Sequence, residues 1–134
     1  MKKETKNILL FSLIVTSIFT ILDFLAHNFV SNLIVNYYPF QYFNIPFHVI
    51  NYSISKFIFT FIALVILQYL FNKYKTKPMN QYWASLVVIV GILQIRYTML
   101  DYYYTTSFHY YNFVNHVITF SIGYWIARKC VTKQ

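Results

Sequence analysis

Residues 7–29 read NILLFSLIVTSIFTILDFLAHNF. This stretch decides the fold. It is long enough for the roughly 20 apolar residues that a bilayer crossing takes. Its polar residues are not scattered. Ser12, Thr16, Thr20, Asp23 and His27 follow one another at intervals of four, four, three and four residues, which is one face of an α-helix. A helix that is apolar all round except for one polar stripe belongs in lipid with the stripe turned toward other helices.

Three further segments read in the same way. They run over about 47–71, 81–102 and 108–127, beside the first at about 7–29. The expected fold is therefore an all-α, antiparallel four-helix transmembrane bundle, formed by residues 1–134 as a single domain. Pro39, Pro46 and Pro78 fall in the expected connections, so no span should be broken. The apolar run after Lys6 is long for a signal peptide and has no small-residue cleavage pattern behind it, so it is expected to stay as a span.

Composition points the same way. Of 134 residues, 58% are hydrophobic and 10% are charged. A soluble domain carries roughly a quarter of its residues as charges. The apolar content also excludes a disordered chain. The single cysteine, Cys130, leaves no intrachain disulfide and no paired-thiol redox chemistry.

The net charge of +8 comes from 11 Lys and Arg against 3 Asp and Glu. Lys2, Lys3 and Lys6 precede the first span, Lys73, Lys75 and Lys77 join the second to the third, and Arg128, Lys129 and Lys133 follow the fourth. The expected outer loops, 31–46 and 103–107, carry no basic residue. The positive-inside rule then gives a multi-pass protein of the cell membrane with both termini cytoplasmic, N-in and C-in. The charge faces anionic lipid and needs no nucleic acid to explain it. The outer loops are instead aromatic (Tyr37, Tyr38, Phe40, Tyr42, Phe43; Tyr102, Tyr103, Tyr104) and read as an interfacial belt or as the mouth of a cavity.

The other spans also carry stripes. Ser53, Lys56, Thr60 and Ala63 line the second, and Gly91, Gln94, Thr98 and Asp101 line the third. His109, Asn112, His116, Thr119, Gly123 and Ala127 line the fourth. Small and hydroxyl residues on a shared face serve helix packing, and that explains most of these positions. No glycine pair forms a GxxxG motif.

The ionisable members need more. At 1.5 Å per residue, Asp23 stands about 26 Å above Lys6, and Lys56 about 26 Å above Lys73. His116 stands about 18 Å above Arg128, and Arg96 about 20 Å above Trp83, with Asp101 roughly 7 Å beyond Arg96. Asp23, Lys56, Arg96, Asp101, His116 and Asn112 therefore form a candidate binding layer in the outer half of the membrane. Ionisable groups at that depth are costly and point to function. The plainer reading is an ion-pair tether between helices, or Lys56 and Arg96 reaching for the near interface. Arg96 lies about 200° around its helix from Gln94 and so off the polar face. A carboxylate reaches less far, so Asp23 is paired, protonated or a ligand.

A metal reading also exists. Asp23 and His27 lie at i, i+4, and His48 and His109 begin the second and fourth spans at similar height. One Asp and three His could hold zinc, copper or iron, and two His could hold a haem.

Hydrolase and phosphate-loop signatures (GxSxG, HExxH, a glycine-rich loop) are absent from the sequence. Three functions remain as expectations. The first is an outward-facing intramembrane site that binds or translocates a small solute or ion. The second is an accessory subunit of a larger membrane complex, with other subunits or a second copy as partner. The third is a metal- or haem-dependent membrane enzyme.

Overall fold

The computed structural model describes the backbone of residues 2–33, 41–100 and 106–132, and side chains over 2–26, 53–95, 110 and 113–131. Among these residues the structure is all helical. α1 spans Lys3–Leu33, α2 Gln41–Tyr74, α3 Pro78–Leu100 and α4 Thr106–Thr132.

The helices outrun the predicted spans. α2 is 34 residues long, about 50 Å at the usual rise. One expectation fails here: Pro46 lies inside α2 and not in the loop before it. It is the sixth residue of the helix, past the first four N–H groups that have no helical partner, so α2 gives up one hydrogen bond there, to the carbonyl of residue 42.

The turn from α2 to α3 is closed by backbone geometry. Lys75 takes the left-handed conformation, φ 52°. The Thr76 N–H donates to the Phe71 carbonyl at 3.0 Å and the Lys75 N–H to the Asn72 carbonyl at 3.4 Å. This pair of bonds is a Schellman cap with lysine in the position usually given to glycine. Pro78 then opens α3, where its missing N–H costs nothing. The Gln81 side chain donates to the Thr76 carbonyl at 2.7 Å and ties the turn to α3.

The helices pack in a ring. α1 packs on α2, α2 on α3, α3 on α4, and α4 back on α1, with the α1–α4 seam the most extensive. The core is built from rows at helical spacing: Phe11, Val15 and Phe19 from α1, Leu64 from α2, Leu86, Ile89, Val90 and Leu93 from α3, and Phe120, Tyr124 and Ala127 from α4. On α3 the buried row is apolar apart from Ser85, and Gly91 and Gln94 lie beside it, half-buried. The stripe expected for that helix is therefore turned by about one residue, or 100°.

The distribution of polarity is inverted relative to a soluble protein. Ser12, Thr16, Asp23, Lys56, Thr60, Asn115, His116 and Thr119 are buried. Ile54, Ile58, Ile62 and Ile66 form an exposed row on α2, and Ile118, Ile122 and Ile126 another on α4. Soluble surfaces do not carry continuous apolar rows of this kind. Three helices are long and apolar enough to cross a membrane: Lys3–Ala26, Ser53–Tyr74 and Pro78–Ile95. The sequence pattern predicts four such segments. The described part of α4 falls short because it includes Arg128 and Lys129 at its end and Asn115 and His116 within it, the latter two turned inward.

The two glycines differ. A Cβ at Gly123 would stand 3.1 Å from the Val15 carbonyl oxygen and 3.4 Å from Ile18 Cβ. α4 thus approaches the α1 backbone closely there, and any larger residue would need the α1 backbone to give by a few tenths of an ångström. A Cβ at Gly91 would meet nothing within 4 Å. Gly91→Ala is therefore expected to stabilise the protein by about 1 kcal/mol, the helix-propensity difference. A higher melting temperature in detergent checks this, and a lower one would show a contact at Gly91.

Candidate functional site

The site lies inside the bundle where α1, α2 and α4 meet. Asp23 reaches it from α1 along the same face as Ser12 and Thr16. Lys56 reaches it from α2, one turn before Thr60. Asn115 and His116 reach it from α4.

Asp23 is enclosed by these three partners. The Lys56 ammonium donates to its Oδ2. The Asn115 Nδ2 donates to its Oδ1 at 2.5 Å, and the His116 Nε2 stands 3.4 Å from the same oxygen. Lys56 is 1% exposed, His116 0% and Asp23 7%. The lysine therefore pairs internally and does not reach for the surface. One carboxylate and one ammonium cancel, so the cluster can be neutral overall. In a low-dielectric interior such an ion pair holds only if its remaining polar atoms are also bonded, and Asn115 serves that need.

Phe19, one turn below Asp23, forms the floor. Its ring lies 4.1 Å from the Lys56 Nζ, a cation–π contact. It also meets the His116 ring edge-on at 5.8 Å between centroids and Phe120 at 5.5 Å. The ion pair is thus sealed by aromatic rings on this side.

A row of hydroxyls leads away from the cluster. The Ser12, Thr16, Thr20 and Thr60 oxygens are buried and have no hydrogen-bond partner among the described residues. Thr119 and Ser121 behave differently: each donates to a backbone carbonyl of its own helix at 2.7 Å. Ser12, Thr16 and Thr20 lie on successive turns, about 6 Å apart. A buried polar atom without a partner calls for a water, an ion or a functional reason.

Three members of the predicted layer are thus brought together: Asp23, Lys56 and His116. The side chains of Arg96 and Asn112 lie outside the described residues, as does Asp101 altogether. The side chains of His27, His48 and His109 also lie outside them, so of the expected metal set only Asp23 can be placed. Among the described residues no group of three or more His, Cys, Asp or Glu side chains could hold a metal ion. Sequence reasoning missed Asn115 and Phe19 as site residues. Asn115 lies one residue before His116, off the stripe that singled out Asn112. Phe19 lies one turn from Asp23, and that spacing was the available signal.

No protein-family model matches the chain, and no curated protein or solved structure matches it.

Proposed function

We propose that the chain is a multi-pass protein of the cell membrane, an antiparallel four-helix transmembrane bundle with both termini cytoplasmic, whose Asp23 cluster binds or translocates a small cation, the proton included. Antiparallel packing is supported by contacts from α1 to α2: Glu4 and Thr5 bond to Asn72 and Tyr69, while Asp23 bonds to Lys56. A fourth span is supported by the apolar outer row Ile118, Ile122 and Ile126. The orientation rests on the basic residues at the end that carries Lys3 and Arg128.

The observation that carries the functional reading is the closed Asp23–Lys56 pair. Apolar side chains of similar volume would hold the helices together at no loss of stability, so stability alone does not explain an ion pair here. The ammonium occupies the place a cation would take at Asp23. Thr20 and Thr60 offer oxygen ligands about one turn from Asp23 and Lys56, and Thr16 and Ser12 continue the row away from it. A partner subunit is not needed to neutralise these two charges, because each neutralises the other.

The test is proton and sodium flux into proteoliposomes under an imposed membrane potential. Flux above that of protein-free vesicles, lost in the Asp23→Asn, Lys56→Met double variant, is the expected result. Wild-type vesicles no leakier than empty ones, or a double variant as active as wild type, would overturn the reading.

A further inference from the structure

The end of the bundle opposite the Asp23 cluster is hollow. All four helices line a cavity of about 460 Å³ there, with Lys3 and Glu4 from α1, Gln68 from α2, Gln81 from α3 and Arg128 from α4 among its walls. It lies well away from the Asp23 cluster: Gln68 is twelve residues beyond Lys56 along α2, about 18 Å.

Two features of this cavity point to a ligand. The first is Gln68. Its side chain is buried, 8% exposed, and its Nε2 has no hydrogen-bond partner among the described residues. A buried N–H group left unanswered costs about 1–3 kcal/mol, so a donor held in this way needs an acceptor. The described residues supply none. Gln68 lines the cavity, and rotation about its soft last side-chain torsion turns this donor into it.

The second is Arg128. Its Nη2 donates to the Gln81 Oε1 at 2.8 Å and to the Tyr124 hydroxyl at 3.0 Å. Its guanidinium carbon lies 5.9 Å from the Phe11 ring centroid and 5.5 Å from that of Tyr124. The guanidinium is therefore held in place before any ligand arrives, and an arginine held in this way suits recognition of a phosphate oxygen. Among the described residues the single acid lining the cavity is Glu4, and it accepts from the Asn72 Nδ2 at 3.1 Å. Lys3 and Arg128 leave the cavity with an excess of positive charge. Lys73, Lys75 and Lys77 in the adjoining turn add to the field that draws anions to this end.

We infer that this cavity binds a phosphate group, held by Arg128 and Gln68. The group can belong to the headgroup of an anionic phospholipid, with Ile8 and Phe11 meeting the start of its chains, or to free phosphate. Basic pockets between membrane helices at the cytoplasmic face are where phospholipid headgroups dock. The site is separate from the Asp23 cluster and does not depend on what that cluster does.

The experiment has two arms, both with the full chain in mild detergent. In one, phosphatidylglycerol and phosphatidylcholine are added in turn and retained lipid is counted by native mass spectrometry. In the other, inorganic phosphate is titrated and the melting temperature followed. The expected result is a saturable response to phosphatidylglycerol over phosphatidylcholine, or to phosphate. Either response should be weakened about tenfold to a hundredfold by Arg128→Gln, as for the loss of a hydrogen bond between charged groups, and weakened also by Gln68→Leu. The responding arm identifies the source of the phosphate. Gln68→Leu keeps the volume and removes no charge, so it remains a test if Arg128→Gln fails to fold. A wild-type protein silent in both arms, or binding that survives Gln68→Leu unchanged, overturns the inference. Asp23→Asn, Lys56→Met should leave the response intact.

Discussion

Asp23→Asn should cost the protein about 3–5 kcal/mol of stability, and adding Lys56→Met should return most of it. The loss follows from what is left behind. Lys56 is 1% exposed and donates to Asp23, so the neutral amide leaves an ammonium in the bundle interior with no counter-charge. Removing one partner of a buried pair is costly by about that amount, because the remaining charge keeps its desolvation penalty and loses its compensation. Methionine at 56 has similar length and no charge, and its sulfur can lie on the Phe19 ring that the ammonium now covers. The amide introduced at position 23 then keeps a neutral contact with Asn115. Unfolding the four proteins of this double-mutant cycle in mixed detergent micelles measures the coupling directly. Losses that simply add, with the double variant the least stable, would show that the two charges are not held against each other. Recovered stability with cation flux still absent separates the site's chemistry from its role in joining α1 to α2.

Gly123 is the second position where a small change should act strongly. Alanine there places a methyl group 3.1 Å from the Val15 carbonyl oxygen. The neighbour is backbone, so it cannot rotate aside, and α4 must move off α1. Overpacking of this kind costs about 1–3 kcal/mol. Leucine at the same position should cost more and open the α1–α4 seam. That seam also presents Asn115 and His116 to Asp23, two turns away along α4. Gly123→Ala should therefore lower both the melting temperature and the cation flux, whereas Gly91→Ala raises the former. A Gly123→Ala protein as stable as wild type would mean that the two helices sit further apart than that distance implies.

Much of this arrangement is legible in the sequence, and the exceptions have physical causes. Asp23 and Lys56 can be matched in height because each is measured from the basic end of its own helix at a fixed rise per residue. His116 falls on the polar stripe of α4 for the same reason. Asn115 is not found in that way. A stripe at intervals of three and four residues selects Asn112, yet a side chain 100° off the stripe still reaches a neighbour when two helices lie as close as Gly123 permits. The two glycines look alike on their stripes, since spacing records a face and not the distance to what lies across it. The inward face of α3 departs from its polar stripe because Gly91 and Gln94 are too few to outweigh the apolar row Leu86, Ile89, Val90 and Leu93. Pro46 reads as a loop residue because proline disfavours helix interiors, yet α2 carries it as its sixth residue at the cost of one helical hydrogen bond. The cavity at Gln68 and Arg128 needs four helix ends in register, which no single segment records.

The inward polarity of α4 bears on how the protein is made. Asn115 and His116 are each costly to carry into hydrocarbon alone. α4 leaves the ribosome after α1, α2 and α3, and the carboxylate that answers Asn115 already stands on α1. If α4 is the proposed fourth span, its integration is coupled to the earlier helices: it would enter the bilayer against a waiting acceptor and not as an independent segment. A ribosome-bound chain that carries Asp23→Leu should therefore leave its last helix outside the membrane, although the substitution makes the first one more apolar.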